Sequence, residues 1–266
     1  MITHMPSLPI SLFEKIPELN QTLGARRNLC LIFNFECFDT SHRTQNSQNL
    51  NSIQRYIHWI ADLPDVTMAI LSNGTLEELK VFFDNRRIIL APNNGAEIHS
   101  SSFNWVQPDL NLIRSELTEL FTAVRESVGS DLRPEHLSFS QGELWLKVSA
   151  GAKMVREILI KQYNVLKSTR LRLSIVNQQV IVSPDNPWNR GRAIQKIFDL
   201  IPRAAQQAPT IIYFGLEDED EPAFQIVNNL GLSVIIYNRL PRTTNARYFL
   251  RNSAELRKFL FWVHSR

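Results

Sequence analysis

Cysteine is scarce in this sequence: Cys30 and Cys37 are the only two in 266 residues. They form no Cys-x-x-Cys pair and have no histidine at metal-ligand spacing, which argues against a disulfide framework or a thiolate metal site. Two thiols on one strand-to-loop segment read as reduced cysteines of a cytoplasmic protein. Long apolar runs are missing too. No stretch reaches the ~18 residues that suggest a membrane span. Residues 1–19 lack a basic segment leading into an apolar one, so they read as neither signal peptide nor anchor. Clustered basic charge is also absent, and the formal net charge is only +3. Nucleic-acid binding is therefore not expected. Arg239, Arg242, Arg247, Arg251, Arg257 and Lys258 do crowd the C-terminal segment. Without stacking aromatics interleaved among them in the way single strands require, they suit a solvated face or an acidic protein partner. No internal repeat is visible.

What is present is an ordinary globular balance, 44% hydrophobic and 21% charged. Residues 9–22 place Ile10, Leu12, Phe13, Ile16 and Leu19 at roughly helical spacing. Three apolar runs, Leu29 to Phe33, Val66 to Leu71 and Ile88 to Ala91, read as strands buried on both faces of a parallel sheet. Helices are expected between them, one carrying Ile53, Tyr56, Ile57 and Ile60, the other over 75–83. Further on, helices over about 108–128 and 150–167 lie among the alternating segments 137–148 and 171–182, the pattern of a small α+β module. A helix from Gly191, a strand over Thr210 to Phe214, a helix over 221–230, a strand over Ser233 to Ile236 and a closing helix over 253–262 complete the chain. The fold class is α/β: a doubly wound parallel sheet with an inserted α+β cap. The expected divisions are an N-terminal helical extension over 1–27, a core over 28–104 and 187–266, and a cap over 105–186.

Six segments occur in the order and spacing of one family. Leu31-Ile32-Phe33-Asn34-Phe35-Glu36 stands where an apolar strand would end in Asp-x-Asp. Leu71-Ser72-Asn73-Gly74 stands where a strand would end in Ser-Gly-Arg. Trp188-Asn189-Arg190-Gly191-Arg192-Ala193 matches an Asn-Lys-Gly-x-Ala helix opening. Tyr213-Phe214-Gly215-Leu216-Glu217-Asp218-Glu219-Asp220-Glu221-Pro222-Ala223-Phe224 matches Tyr-x-Gly-Asp-Asp-x-Thr-Asp-Glu-Asp-Ala-Phe. Asn94-Gly95-Ala96-Glu97-Ile98 and Thr244-Asn245-Ala246-Arg247-Tyr248-Phe249-Leu250 match two further pieces. Over about residues 28–262 the sequence resembles the trehalose-6-phosphate phosphatases of the haloacid dehalogenase superfamily, with altered catalytic motifs.

The resemblance implies an aspartate nucleophile at position 34, a second aspartate at 36 acting as general acid, and Mg²⁺ as cofactor. The residues differ. Asn34 is a neutral amide with no anionic oxygen for attack on phosphorus. Glu36 keeps a carboxyl group but is one methylene longer, and catalytic geometry tolerates little displacement. Leu216 cannot ligate a cation, so a weak site at Glu217 or Asp220 is the most this segment allows, and no cofactor is expected without activity. Ser72, Asn73 and Arg190 remain as phosphate-binding candidates, Arg190 replacing a lysine and able to bind bidentately. Against this stand simpler roles: a strand-end turn for Ser72 and a solvated helix-start cation for Arg190. In the cap, Phe139-Ser140-Gln141 and Val148-Ser149-Ala150 fall where the family has charged sugar contacts, which leaves Glu97 as the one substrate-binding candidate. Asp39 suits loop or helix capping, His42 and His58 have no partner spacing, and the acidic run 217–221 suits a solvated helix N-terminus.

Two readings follow. In the first, the chain is a catalytically impaired homologue that binds a partner protein or a phosphorylated metabolite. In the second, it is a Mg²⁺-dependent sugar-phosphate phosphatase, with trehalose 6-phosphate as first substrate, that bypasses Asn34.

Overall fold

The computed structural model describes residues 7–25, 28–38, 47–140, 144–185, 188–201, 209–237 and 242–265. Asp39, His42, Gln141 and Arg239 lie outside them. The chain divides into two compact units, Met1–Trp105 with Asn189–Arg266, and Val106–Trp188.

In chain order the first unit contains β1 (Ile10–Ser11), α1 (Ile16–Ala25), β2 (Leu29–Asn34), α2 (Ser47–Ala61), β3 (Val66–Leu71), α3 (Leu76–Phe82), β4 (Ile88–Ala91), β5 (Glu97–His99) and β6 (Asn104–Val106). The second contributes α4 (Leu110–Val128), β7 (Leu137–Ser140), β8 (Trp145–Val148), α5 (Lys153–Leu166), β9 (Leu171–Val176) and β10 (Gln179–Pro184). The first unit resumes with α6 (Arg190–Leu200), β11 (Thr210–Gly215), α7 (Glu221–Val227), β12 (Gly231–Ile236), β13 (Tyr248–Leu250) and α8 (Ser253–His264).

The large sheet runs β1-β13-β12-β11-β2-β3-β4-β5-β6. From β1 to β4 all neighbours are parallel, and β5 turns antiparallel to β4. β2 is buried along its whole length because it lies mid-sheet with helices over both faces. That position explains why it is apolar at every residue instead of alternating. One face carries Leu31, Phe33, Ile70 and Phe214 against Ile57, Leu256 and Phe259 of α2 and α8. Phe33 and Phe214 stack at 4.6 Å between ring centres. On the other face α6 and α7 pack together, α7 also on β11 and β12. The register aligns Phe33 with Phe214 and Asn34 with Leu71, so Asn34, Ser72 and Gly215 emerge at one carboxyl edge. In open α/β sheets that edge is where ligand sites form.

The second unit is an antiparallel sheet, β7-β8-β10-β9, with α4 and α5 packed on each other and on β8 and β10. No helix among the described residues is long and apolar enough to cross a membrane.

The N-terminal segment departs from the helix expected over 9–22. Ile10–Ser11 instead forms an edge strand beside Tyr248 and Phe249, Leu12 is fully buried in the core, and the helix starts at Ile16. Pairing with β13 outweighs the local periodicity, and Pro17 is accommodated in the first helical turn, where its missing N–H costs nothing. The short strands β5, β6 and β13 also went unforeseen, because three residues show no period.

If Leu12 belongs to the core, Leu12→Ala should cost about 2–5 kcal/mol in urea unfolding, the range for a buried leucine. A loss below about 0.5 kcal/mol, typical of surface positions, would place the segment outside the core.

Candidate functional site

At the carboxyl edge of β2, Asn34 is fully buried. Its side chain is fixed at both ends. Oδ1 accepts from the Glu36 backbone N–H at 3.1 Å, while Nδ2 donates to Asp220 at 3.0 and 3.3 Å. Asp220 is also fully buried, and several donors converge on it. Oδ1 accepts from Arg190 Nη1 at 2.8 Å and from the Tyr213 hydroxyl. Oδ2 accepts from the backbone N–H groups of Leu216 and Glu217 at 2.7 and 2.9 Å. A carboxylate offers about four lone-pair sites, and here they are taken. Gly215 makes this possible, since a Cβ there would lie 2.6 Å from the Asp220 carboxyl carbon.

Arg190 opens α6 and is 1% exposed. Its Nε donates to Asn94 Oδ1 at 3.0 Å, Nη2 lies 3.2 Å from Glu219 and Nη1 3.6 Å from Glu217. Burial is the largest influence and opposes the charge, but Asp220, Tyr213 and Glu36 together hold the guanidinium proton above its ordinary range. Asn94 belongs to a tight turn of three consecutive positive-φ residues, Asn93, Asn94 and Gly95. Asn93 N–H donates to Gly74 O and Asn94 N–H to Ser72 O, which ties that turn to the end of β3. A Cβ on Gly95 would sit 2.3 Å from Ala193 Cβ, so the first turn of α6 also needs this glycine.

Ser72 Oγ accepts from Gly74 N–H at 3.0 Å and donates to Glu36 Oε1 at 3.5 Å. Glu36 Oε2 is buried with no hydrogen-bond partner among the described residues. Burial pushes the Glu36 carboxyl up from 4.5 to about 7, against the opposing pull of Arg190. Burial also raises Glu217, Arg190 again opposing. Tyr213 is raised well above its usual range, first by burial and then by Asp220, so it remains a proton donor. Cys30 and Cys37 are both free and buried. Burial carries Cys30 to about 12 and raises Cys37, whose thiol donates to Phe214 O at 3.4 Å.

The structure thus joins Asn34, Glu36, Ser72, Arg190, Glu217 and Asp220 in one network. Half-buried Asn73 stays outside it. Glu97 lies on the far side of the tight turn, accepting from Asn93 Nδ2 at 2.7 Å and lying 3.4 Å from His99 Nε2. Two expectations need correction. Arg190 is not a solvated helix-start cation, because the buried Asp220 draws it inside. The acidic run is not simply solvated either: Asp220 is buried, and Glu221 accepts from Arg242, Thr244 and Asn245. Asn94 and Tyr213 were missed as members of the site. The signals available were the Asn-Asn-Gly turn and the polar ring in an otherwise apolar strand.

Nor does the donor set fit a hard divalent cation, which needs several free oxygen ligands. Leu216 has no ligand atom, Asn34 Oδ1 is engaged and Asp220 is saturated. Among the described residues no group of three or more His, Cys, Asp or Glu side chains is placed to hold a metal. The weak cation site that the sequence allows at Glu217 or Asp220 therefore lacks support in this geometry.

Arg190→Met would leave Asp220 ionised and uncompensated, and should cost about 3–5 kcal/mol in denaturant unfolding. A change under about 1 kcal/mol would mean that the other donors suffice without it. For Glu36, the folded protein retains a proton that the unfolded chain releases above about 4.5. Its stabilising contribution is complete below about 4.5 and disappears as pH rises through about 7. The thermal midpoint of the wild type should accordingly fall relative to Glu36→Gln across that window. Parallel curves would show that the carboxyl is not held neutral.

No family model matches the chain. A trehalose 6-phosphate phosphatase of Zea mays is 29% identical over 154 residues, 54% of this chain and 40% of the maize protein. A probable trehalose-phosphate phosphatase of Oryza sativa is 31% identical over 91 residues, 34% of this chain and 25% of the rice protein. The matches thus span less than half the length of these relatives. Among solved structures, trehalose-6-phosphate phosphatase of Aspergillus fumigatus superposes with a TM-score of 0.68 at 15% identity, over 97% of this chain and 99% of that one. The C-terminal domain of a Candida albicans trehalose synthase regulatory protein superposes with a TM-score of 0.59 at 16% identity, over 97% and 99%. The chain is thus similar over part of its sequence to trehalose-phosphate phosphatases, and over nearly all of its length it has the fold of the solved trehalose-6-phosphate phosphatases.

Proposed function

We propose that this chain is a trehalose-phosphate-phosphatase-like protein without efficient phosphatase chemistry, acting in the cytoplasm as a binding or regulatory protein. One observation carries the reading: where the family places an attacking carboxylate, Asn34 presents an amide whose N–H₂ donates into Asp220. An amide in that role lacks the negative charge that attack on phosphorus needs. Loss of a nucleophile costs on the order of 10⁶ in rate in a well-studied hydrolase.

The remaining groups support the same reading. Arg190, the strongest phosphate-binding candidate, is committed to Asp220 and Asn94. Glu36, Glu217 and Glu219 surround it with acids, which disfavours a phosphate dianion. The C. albicans neighbour is described as a regulatory protein, so the fold occurs in a protein of that kind. A partner protein is therefore favoured over a phosphorylated metabolite as ligand.

Glu36 keeps the phosphatase reading alive. A buried carboxyl raised to about 7 is suited to protonating a leaving group. Trehalose 6-phosphate hydrolysis would then proceed by direct attack of water.

Phosphate release from trehalose 6-phosphate and other sugar phosphates, with and without Mg²⁺, separates the two. Wild type should release nothing above the blank. Turnover on the order of 1 s⁻¹ or more, an ordinary enzyme rate, would overturn the proposal. Asn34→Asp should also remain silent, because Leu216 and the saturated Asp220 remain. It should be less stable than wild type at pH 8, since it adds a carboxylate beside Asp220. Mg²⁺ should leave the thermal midpoints of both proteins unchanged. Phosphatase activity in this variant would mean that only the nucleophile had been lost.

A further inference from the structure

Outside this network, the outer faces of α2 and α8 carry a cluster of exposed aromatic rings. Trp59 is 47% exposed and Phe261 57%, high values for such large apolar rings. Tyr56 joins them. Its ring meets Trp59 edge-on at 5.5 Å and Phe261 at 6.2 Å, and His264 stacks on Trp59 at 5.2 Å. The two helices are packed side by side through Ile57, Ile60, Leu260 and the rest of the core beneath, so the rings form one platform on a rigid base. Fixed aromatic rings of this kind are the usual anchors of protein interfaces, because little side-chain entropy remains to be lost on binding.

The exposed charges that stand one turn before the two outer rings are both basic. Exposed Arg55 stands one turn before Trp59, and exposed Lys258 one turn before Phe261. The acids nearby each have a partner: the Asp62 carboxylate accepts from Asn85 and lies 3.9 Å from Arg87, Asp84 lies 3.9 Å from His58, and Glu255 accepts from the Arg251 N–H beside the start of α8. We infer that this platform is a docking surface for an acidic segment of a partner protein that carries large apolar side chains. The apolar side chains would cover Trp59 and Phe261, and the carboxylates would face Arg55 and Lys258. Single-stranded nucleic acid fits less well. Base stacking needs open ring faces, but His264 already covers one face of Trp59, and Tyr56 meets its neighbours edge-on. This inference rests on the surface alone and not on the loss of phosphatase chemistry, so the two can fail separately.

The test is to pan a random 15-residue peptide library on phage against the full chain, with counter-selection on a Trp59→Ser/Phe261→Ser variant. Enriched peptides should be acidic and contain at least two large apolar residues. By fluorescence polarisation, a labelled representative should bind wild type saturably and the aromatic variant on the order of tenfold more weakly or worse. Arg55→Glu/Lys258→Glu should also weaken binding, and so should added salt. Should the aromatic variant fail to fold, by its thermal unfolding, the charge variant decides, since both its positions are exposed. The inference is overturned if no enrichment depends on these positions, or if the selected peptides are basic or uncharged. It is equally overturned if oligo-dT competes for the surface, or if wild type sediments as a dimer that the aromatic variant dissolves.

Discussion

The buried pair of Arg190 and Asp220 is the interaction around which the rest of this site is arranged. Removing two charges from water is costly, and their mutual attraction offsets the cost only where the remaining hydrogen-bonding capacity is satisfied. Here Tyr213, Asn34 and two backbone amides complete the shell of Asp220. Arg190 in turn reaches Asn94. The result ties together the ends of β2 and β11, the first turn of α6 and the turn after β4. The strained backbone at Asn93 and Asn94 is held by this arrangement as well as by its own hydrogen bonds to Ser72 and Gly74.

That arrangement has a chemical consequence. In a phosphatase of this fold the charge of the central carboxylates would be balanced from outside, by a bound cation. In this chain the balance is internal. Asn34 is a neutral amide, and Arg190 lies against Asp220 at 2.8 Å, with Glu219 and Glu217 at 3.2 and 3.6 Å. The two features are complementary: an aspartate at 34 would bring two carboxylates within about 3 Å of each other, while an unpaired Asp220 would be a lone charge in a dry interior. Glu36 then lies beside a neutralised pair with one oxygen unpartnered, and burial dominates its protonation. The amide, guanidinium and carboxylate at the centre of the network thus satisfy one another.

Much of the frame was legible from local pattern. β2, β3, β4 and β11 announce themselves as unbroken apolar runs, since a central parallel strand is covered on both faces. The α4 and α5 segments and the alternating β8 and β10 identify the inserted α+β unit by period alone. The site was partly legible: Asn34, Glu36, Ser72, Arg190 and Asp220 were singled out because they occupy motif positions. Their contacts were not. A one-dimensional reading makes an arginine at a helix start a solvated cation and a run of acids a solvated loop, because most such residues are. Similarly, Leu12 within a helical spacing gave no hint that its neighbours would form a strand with residues more than two hundred positions away.

The order of the main strands and helices, the family resemblance, and the chemical identities at each motif position were determined by the sequence itself, because they depend on local periodicity and on side-chain type. Which charges face one another, and which are buried, was decided only by the tertiary structure. Asp220 becomes the acceptor for Asn34, 186 residues away in sequence, because parallel pairing of β2 with β11 brings their ends to one edge. The same holds for the aromatic platform: Trp59 and Phe261 each look like ordinary amphipathic helix residues until α2 and α8 are packed side by side on one face of the sheet. Long-range pairing carries no local signature, since its energy comes from desolvation and hydrogen bonding between segments that a linear reading keeps apart.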